Sequence, residues 1–408
     1  MLLILFPVIL VYFFSRLLNG KEDKKRLLEK FSISSTSNPS SKKVIWFHAC
    51  SVGEVRSTYT LINKFIQNNY LVLVTTNTHL SSIDVKNNFS KDIIHQYLPI
   101  DYSFFINRFL NKWKPKVAIM VESEIWPNLI NNAKKKKIPL CLIQARISNS
   151  SLKKWLYLPN FYKEILQKFN FIITQSNLEK KKILNSSGTN VSAVINLKNS
   201  SPKLAYDKKI ENIFKKRHSN FVISAVSTHE GEERIILKSF SNLLKKNKNL
   251  ILMLQPRHPK RKKNILKEIK RYNFNYKQRS LNEFPNKSTN VYLFDTFGES
   301  GLVISMADLI ILGGTLTPVG GHNIIESAQF RKCVICGPYY FKITELIDYF
   351  NKKNAIILIK GRSLDQIICE LIQDKIKVNQ IENNAGAITL GFKEETSIVY
   401  NKIKNLAI

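Results

Sequence analysis

Val44-Ile-Trp-Phe-His-Ala-Cys-Ser-Val-Gly-Glu54 decides how the chain folds. Its apolar run, Val44–Phe47, shows no period-two alternation, as a strand buried on both faces requires. Ser51 and Gly53 then permit a tight turn, and a helix is expected to start near Val55. Working outward, the same order recurs. The runs Leu71–Thr75, Val117–Val121, Leu140–Ile143, Phe171–Thr174 and Val191–Ile195 are each separated by amphipathic stretches of helical period. A second series follows Ser200–Pro202: Phe221–Val226, Leu250–Leu254, Val291–Phe294, Leu309–Leu312, Val334–Ile335 and Ala355–Ile359. Strands alternating with helices predict right-handed βαβ units and parallel sheets. The expected fold class is therefore α/β, with two Rossmann-like doubly wound domains at 42–200 and 201–408 and the last helix packing back on the first. Chemistry is expected just past the carboxyl end of each strand.

Composition bounds the rest. The chain has 408 residues, and 63 basic against 30 acidic side chains give a net charge of +33, which calls for an anionic partner. A hydrophobic share of 44% excludes a disordered chain, and a mean hydropathy of −0.15 excludes a multispanning membrane protein. Five cysteines, an odd number scattered without framework spacing, argue against a disulfide scaffold and fit a reducing compartment. Met1–Phe14 carries no charge and is nearly all apolar, which predicts a membrane anchor over 1–20, either spanning or lying in the interface. Arg16, Lys21, Lys24, Lys25 and Arg26 follow it, and this positive flank predicts a catalytic body on the cytoplasmic face of a membrane. Residues 21–41 read as a basic helix and a Ser-rich linker.

Several strand ends carry reactive side chains. Glu54 stands where a carboxylate could serve as general base on a hydroxyl, or could simply complement a helix dipole. Val121-Glu-Ser-Glu-Ile-Trp-Pro-Asn128 places Glu122 and Glu124 on one face if the segment is extended, and Arg146 after the next strand could partner one of them. Thr228 and the acids Glu230, Glu232 and Glu233 read as a helix-capping segment, with His229 beside them unexplained. Pro256-Arg257-His258-Pro259 presents a planar guanidinium from a stiff loop, suited to phosphate or a base edge. Gly313-Gly314-Thr315 and Gly320-Gly321-His322-Asn323-Ile-Ile-Glu326 suit a phosphate cradle entering a helix, with Glu326 placed to accept from ribose hydroxyls. The chain has no Asp-x-Asp, no zinc-type His/Cys spacing and no P-loop, which disfavours metal-dependent sugar transfer. Cys333 and Cys336 read as core thiols, and the lysine runs suit either solvated faces or an anionic lipid surface. Nucleic-acid binding would explain the charge but not the glycine loop.

These motifs, in this order, closely resemble the 3-deoxy-D-manno-octulosonic acid (Kdo) transferase family of lipid A glycosylation. The resemblance implies a two-domain B-type glycosyltransferase fold, CMP-Kdo as donor on the second domain and a lipid A precursor as acceptor on the first. It implies inverting transfer with no cofactor and no metal at the bacterial inner membrane, and no nucleic-acid partner. Glu54 would be the general base, and Glu122 and Lys198 would support the transition state. Pro256, Arg257, Phe297, Gly298, Glu299, Asn323, Ile324, Ile325 and Glu326 would bind CMP. Ile195 stands where the family commonly has Gly, Asn199-Ser200 where it has Phe-Asp, and Phe297 where it has Met. A transferase of this fold using a nucleotide diphosphate sugar is the alternative.

Overall fold

A computed structural model describes residues 23–34, 41–89, 93–217 and 220–407. The expected anchor over 1–20 and most of the Ser-rich linker lie outside the described residues. Among the described residues, no helix is long and apolar enough to cross a membrane.

The chain forms two compact units, Met1–Ser201 with Phe392–Ile408, and Pro202–Gly391. The first is built on β1 (Val44–His48), β2 (Leu71–Thr76), β3 (Ile93–Tyr97), β4 (Val117–Val121), β5 (Leu140–Ala145), β6 (Phe171–Thr174) and β7 (Ala193–Val194). They form one parallel sheet in the order β3-β2-β1-β4-β5-β6-β7. Every side chain of β1, β2, β4, β5 and β6 is buried, which is why their sequences read as unbroken apolar runs. Helices cover both faces. Trp46, Phe109, Trp113 and Leu142 pack on one face, and Phe47, Phe65, Val74 and Ile143 on the other.

The second unit repeats this plan. Its strands are β8 (Phe221–Thr228), β9 (Leu250–Pro256), β10 (Tyr276–Gln278), β11 (Val291–Leu293), β12 (Leu309–Leu312), β13 (Cys333–Cys336) and β14 (Ile357–Leu358). The sheet order is β10-β11-β9-β8-β12-β13-β14, again parallel. Cys333 and Cys336 are core thiols, fully buried. The final helix, Lys375–Leu406, begins in the second unit, and from Phe392 onward it belongs to the first. Val399, Tyr400, Ile403 and Ala407 complete the core that includes Phe65.

In each sheet the chain starts at a central strand, adds strands on one side and then crosses to that strand's other side; in the second unit β10 takes the edge and β11 fills the place between it and β9. The crossing points lie between β1 and β4 and between β8 and β12. Adjacent loops diverge there and leave a crevice at the carboxyl edge.

Candidate active site

At the β1/β4 crevice, Ser51 caps the helix Val52–Ser57, accepting a hydrogen bond from the Glu54 N–H at 3.3 Å. The Glu54 carboxylate folds back to accept from the Cys50 N–H (2.7 Å) and the Ser51 hydroxyl (2.9 Å), which holds it over the helix start with only 8% exposure. Burial, and then the negative charge of Glu124, push the Glu54 carboxyl above its ordinary pKa of 4.5.

Glu122 and Glu124 do not share a face. Glu122 adopts a left-handed backbone, φ 60°, which turns the chain and sends the two carboxylates apart. Glu124 reaches back under β1 to His48 Nε2 at 2.9 Å and accepts from the Trp126 indole at 2.7 Å. Burial alone would raise its pKa, but these partners outweigh burial and hold it below the ordinary value. His48 is fixed in turn by Thr75, whose carbonyl lies 3.1 Å from Nδ1. Glu122 takes Lys198, not Arg146, as its partner: Nζ to Oε1 is 2.8 Å. A 3-10 turn at Leu197–Ser200 presents Lys198, and the Asn196 side chain accepts from the Lys198 N–H to fix it. Arg146 is exposed. The first unit therefore brings Glu54, Glu122 and Lys198 to one sheet edge, with the buried His48–Glu124 pair, which sequence reasoning did not foresee, beneath.

The β8/β12 crevice of the second unit holds a pocket of about 160 Å³ lined by Val226, Ser227, Arg257, Leu312, His322, Asn323, Glu326 and Ser327. Arg257 comes from the end of β9, and Asn323 caps the helix Ile324–Gln329 by accepting from the Ile325 N–H. Burial raises the Glu326 carboxyl above its ordinary pKa, with Asn323 and Arg257 pulling the other way. Ile324 and Ile325 are buried in the core, so only their backbone is available to a ligand. Pro256 is buried at the end of β9. Phe297, Gly298 and Glu299 do not line this pocket. Phe297 is 75% exposed, and Glu299 is held by a bidentate ion pair with Arg279 at 2.8–3.1 Å.

The acids Glu232 and Glu233 are not helix caps. Gly231 occupies the cap position with φ 90° and makes no side-chain cap bond. Glu232, fully buried, accepts instead from the N–H groups of His229, Gly314 and Leu316, each at 2.8 Å. It ties the end of β8 to the loop after β12. Glu233 accepts from the Thr228 hydroxyl and forms a bidentate pair with Arg261. Part of the glycine signal is also packing. Ser227 bulges out of β8 with φ 60°, and a Cβ on Gly313 would stand 2.2 Å from its carbonyl oxygen. Gly314 leaves room for His322, whose Cδ2 would lie 3.0 Å from a Cβ there. The His322 ring stacks on His229 with Nε2 atoms 2.7 Å apart, a spacing that fits one proton shared between two imidazoles. Burial, then the neighbouring His229 and Arg257, depress the His322 pKa to about 4. His322, Ser227 and Ser327 line the pocket without having been marked as ligands by sequence, although His322 sits inside the glycine motif. Among the described residues, no group of His, Cys, Asp and Glu side chains is arranged to hold a metal.

Comparison with known proteins places this architecture. The family profile described as 3-Deoxy-D-manno-octulosonic-acid transferase (kdotransferase) matches residues 25–201. A 3-deoxy-D-manno-octulosonic acid transferase of Rickettsia typhi is 32% identical over 94% of this chain and 93% of its own length. The chain belongs to the Kdo transferase family. It is accordingly a glycosyltransferase. A second relative with the same name, from Haemophilus influenzae, is 30% identical over 95% of this chain and 92% of its own. Two solved structures share the fold at lower identity. A glycosyltransferase from Rickettsia africae covers 89% of this chain and 99% of its own at TM-score 0.57 and 12% identity. MurG of Acinetobacter baumannii covers 89% and 99% at TM-score 0.53 and 12% identity.

Proposed function

We propose that the protein transfers Kdo from CMP-Kdo to a hydroxyl of a lipid A precursor in lipopolysaccharide biosynthesis, with inversion at the anomeric carbon and without a catalytic metal. Family membership supports the sugar. Glu54 carries the mechanism: a mostly buried carboxylate at a doubly wound crevice, its proton affinity raised above the ordinary glutamate value by burial and then by Glu124.

In this reading the acceptor hydroxyl attacks the anomeric carbon and gives its proton to Glu54, while the bond from that carbon to the CMP phosphate breaks. Cys50 and Ser51 hold the carboxylate in orientation, and Glu124, kept ionised by His48, sustains its basicity. Lys198, braced by Glu122, supplies positive charge to the developing transition state. Arg257 and the backbone around Asn323 receive the departing phosphate, and Glu326 takes ribose hydroxyls. Phe297 offers an exposed ring for a base or sugar face, Gly298 gives backbone freedom beside it, and Pro256 stiffens the approach of Arg257. Glu299 acts through Arg279.

The donor test is equilibrium stabilisation. CMP at a hundredfold excess over its dissociation constant should stabilise the fold by about 2.7 kcal/mol, seen as a raised Tm, whereas UDP should leave it unchanged. Arg257→Ala should abolish the CMP shift while leaving the ligand-free Tm within a degree or two, because the side chain is exposed. Stabilisation by UDP in place of CMP would assign the pocket to a nucleotide diphosphate sugar.

A further inference from the structure

Two neighbouring strands of the first unit end in backbone that residues with side chains rarely adopt. Glu122, just past β4, has φ 60°, and Gln144, near the end of β5, has φ 55°. Gln144 lies in a bulge: Leu142 pairs with Ile172 and Ala145 with Thr174, so two residues of β5 face one of β6 between them. Its side chain is fully buried, and its amide nitrogen donates to the Ile195 carbonyl at 2.7 Å. The amide oxygen has no hydrogen-bond partner among the described residues. A left-handed conformation and an unpaired buried oxygen each lower stability, and an apolar side chain of the same length would avoid the second. Strain and unpaired polarity kept together at a strand end point to a use.

What the amide holds is the turn that carries Lys198. The Ile195 N–H donates to the Thr174 carbonyl at the end of β6 (2.9 Å), so with Gln144 on its own carbonyl this residue is tied to two strands. Asn196 then accepts from the Lys198 N–H, Leu197 is buried in the core, and the Ser200 hydroxyl donates to the Leu197 carbonyl at 2.9 Å. Glu122 is set from the same place. Its N–H donates to the carbonyl of Ile143, directly before Gln144, and its carbonyl accepts from the Arg146 N–H, two residues after, at 3.5 Å. Gln144 thus stands between the backbone anchors of Glu122 and, through its amide, fixes the approach of Lys198. The 2.8 Å contact between Lys198 Nζ and Glu122 Oε1 closes the ring.

We propose that Gln144 is a positioning residue for sugar transfer: its amide sets the turn Leu197–Ser200 so that Lys198 presents its charge at the sheet edge beside Glu122. Being fully buried, Gln144 acts through Lys198 and not on the substrate. The proposal rests on the role given to Lys198 above.

Gln144→Met keeps the length and nearly the volume of the side chain while removing its polar atoms. In the full chain, hydrogen exchange at the amides of 195–200 should speed up about tenfold, the scale of one lost hydrogen bond, with β4 and β5 still protected and the CMP-dependent rise in Tm kept. At saturating CMP-Kdo and lipid A precursor in detergent, kcat should fall roughly ten- to a hundredfold, with KM for both little changed. Coupling separates positioning from a folding fault. Lys198→Ala alone and Lys198→Ala with Gln144→Met should be equally slow, because a residue acting through Lys198 has nothing left to place once that side chain is gone. Losses that multiply, or unchanged exchange at 195–200, would overturn the proposal. Gln144→Gly divides backbone from amide: glycine takes φ 55° without strain, so a Gly variant as fast as the unsubstituted chain would overturn it too. No transfer by the unsubstituted chain, or full transfer by Lys198→Ala, would instead defeat the role given to Lys198 and with it the consequence for transfer. Exchange at 195–200 would still decide, on its own, whether Gln144 holds the turn.

Discussion

Among single residues, Glu232 does more than its place in the sequence suggests. One buried carboxylate satisfies three backbone N–H groups from two loops, His229 on one side and Gly314 and Leu316 on the other. An amide offers a single acceptor oxygen, so Glu232→Gln leaves at least one of those donors facing an NH₂ group. The expected cost is about 1–3 kcal/mol of stability, read by urea unfolding, together with weaker CMP binding. A normal CMP affinity in a destabilised variant would show that Glu232 serves folding alone. The residue scale also shows where sequence was legible. Glu54 and Arg257 stand at crevice edges because they closely follow recognisable strands, and Glu326 because the glycine loop after β12 leads into its helix. The Glu122–Lys198 pair, by contrast, spans 76 residues and depends on a left-handed turn at Glu122, and no local pattern specifies it. Glu232 and Glu233 misled for a related reason: acids in a first helical turn satisfy the capping pattern whether or not their side chains turn away to a distant loop.

Among elements, the central strands were readable and the edges were not. β3 escapes an apolar-run reading because His95 and Gln96 interrupt it, and both find partners only in the fold. Gln96 accepts from the Trp113 indole at 2.9 Å, and His95 sits between Arg26 and Thr76. β10 is three half-buried residues, Tyr-Lys-Gln, with no periodicity to detect. The expected strand Ala355–Ile359 contracts to Ile357–Leu358 because only those two residues pair with β13. The His95 contact has a testable consequence. Its pKa is depressed to about 3 by burial, then by Arg26 and Lys30. A histidine whose folded pKa lies below its unfolded value contributes stability above about 6.5, and that contribution is lost as pH falls through about 3. Arg26→Ala removes one of the groups depressing it. The variant should show less acid destabilisation between pH 6.5 and 3, and its Lys24–Phe31 segment should exchange amide hydrogens faster at neutral pH. An unchanged exchange rate would mean that Arg26 does not hold the segment.

At the scale of the whole molecule, two parallel sheets of like topology each present one crevice, and the last helix supplies core to the first unit from the far end of the chain. Val399, Tyr400, Ile403 and Ala407 are at most 4% exposed, with the Tyr400 ring 4.6 Å from Phe65. Truncation after Gly391 should therefore destabilise the first unit by several kcal/mol, at roughly 1.5–3 kcal/mol per large apolar side chain exposed. The second unit should keep its CMP-dependent Tm shift; loss of both transitions together would show that the units unfold as one. The proposed role of Glu54 in Kdo transfer from CMP-Kdo to a lipid A precursor is decided by mass analysis of products. The chain and its Glu54→Gln variant would be given CMP-Kdo and tetraacylated precursor in detergent across a range of pH. Products should be heavier by one or more Kdo units, with a rate that falls as pH drops through a value above the ordinary glutamate pKa. The variant should bind CMP normally but turn over at least about a hundredfold more slowly, without that acidic limb. Undiminished transfer by Glu54→Gln, or no Kdo product from a folded, CMP-binding chain, would contradict that role.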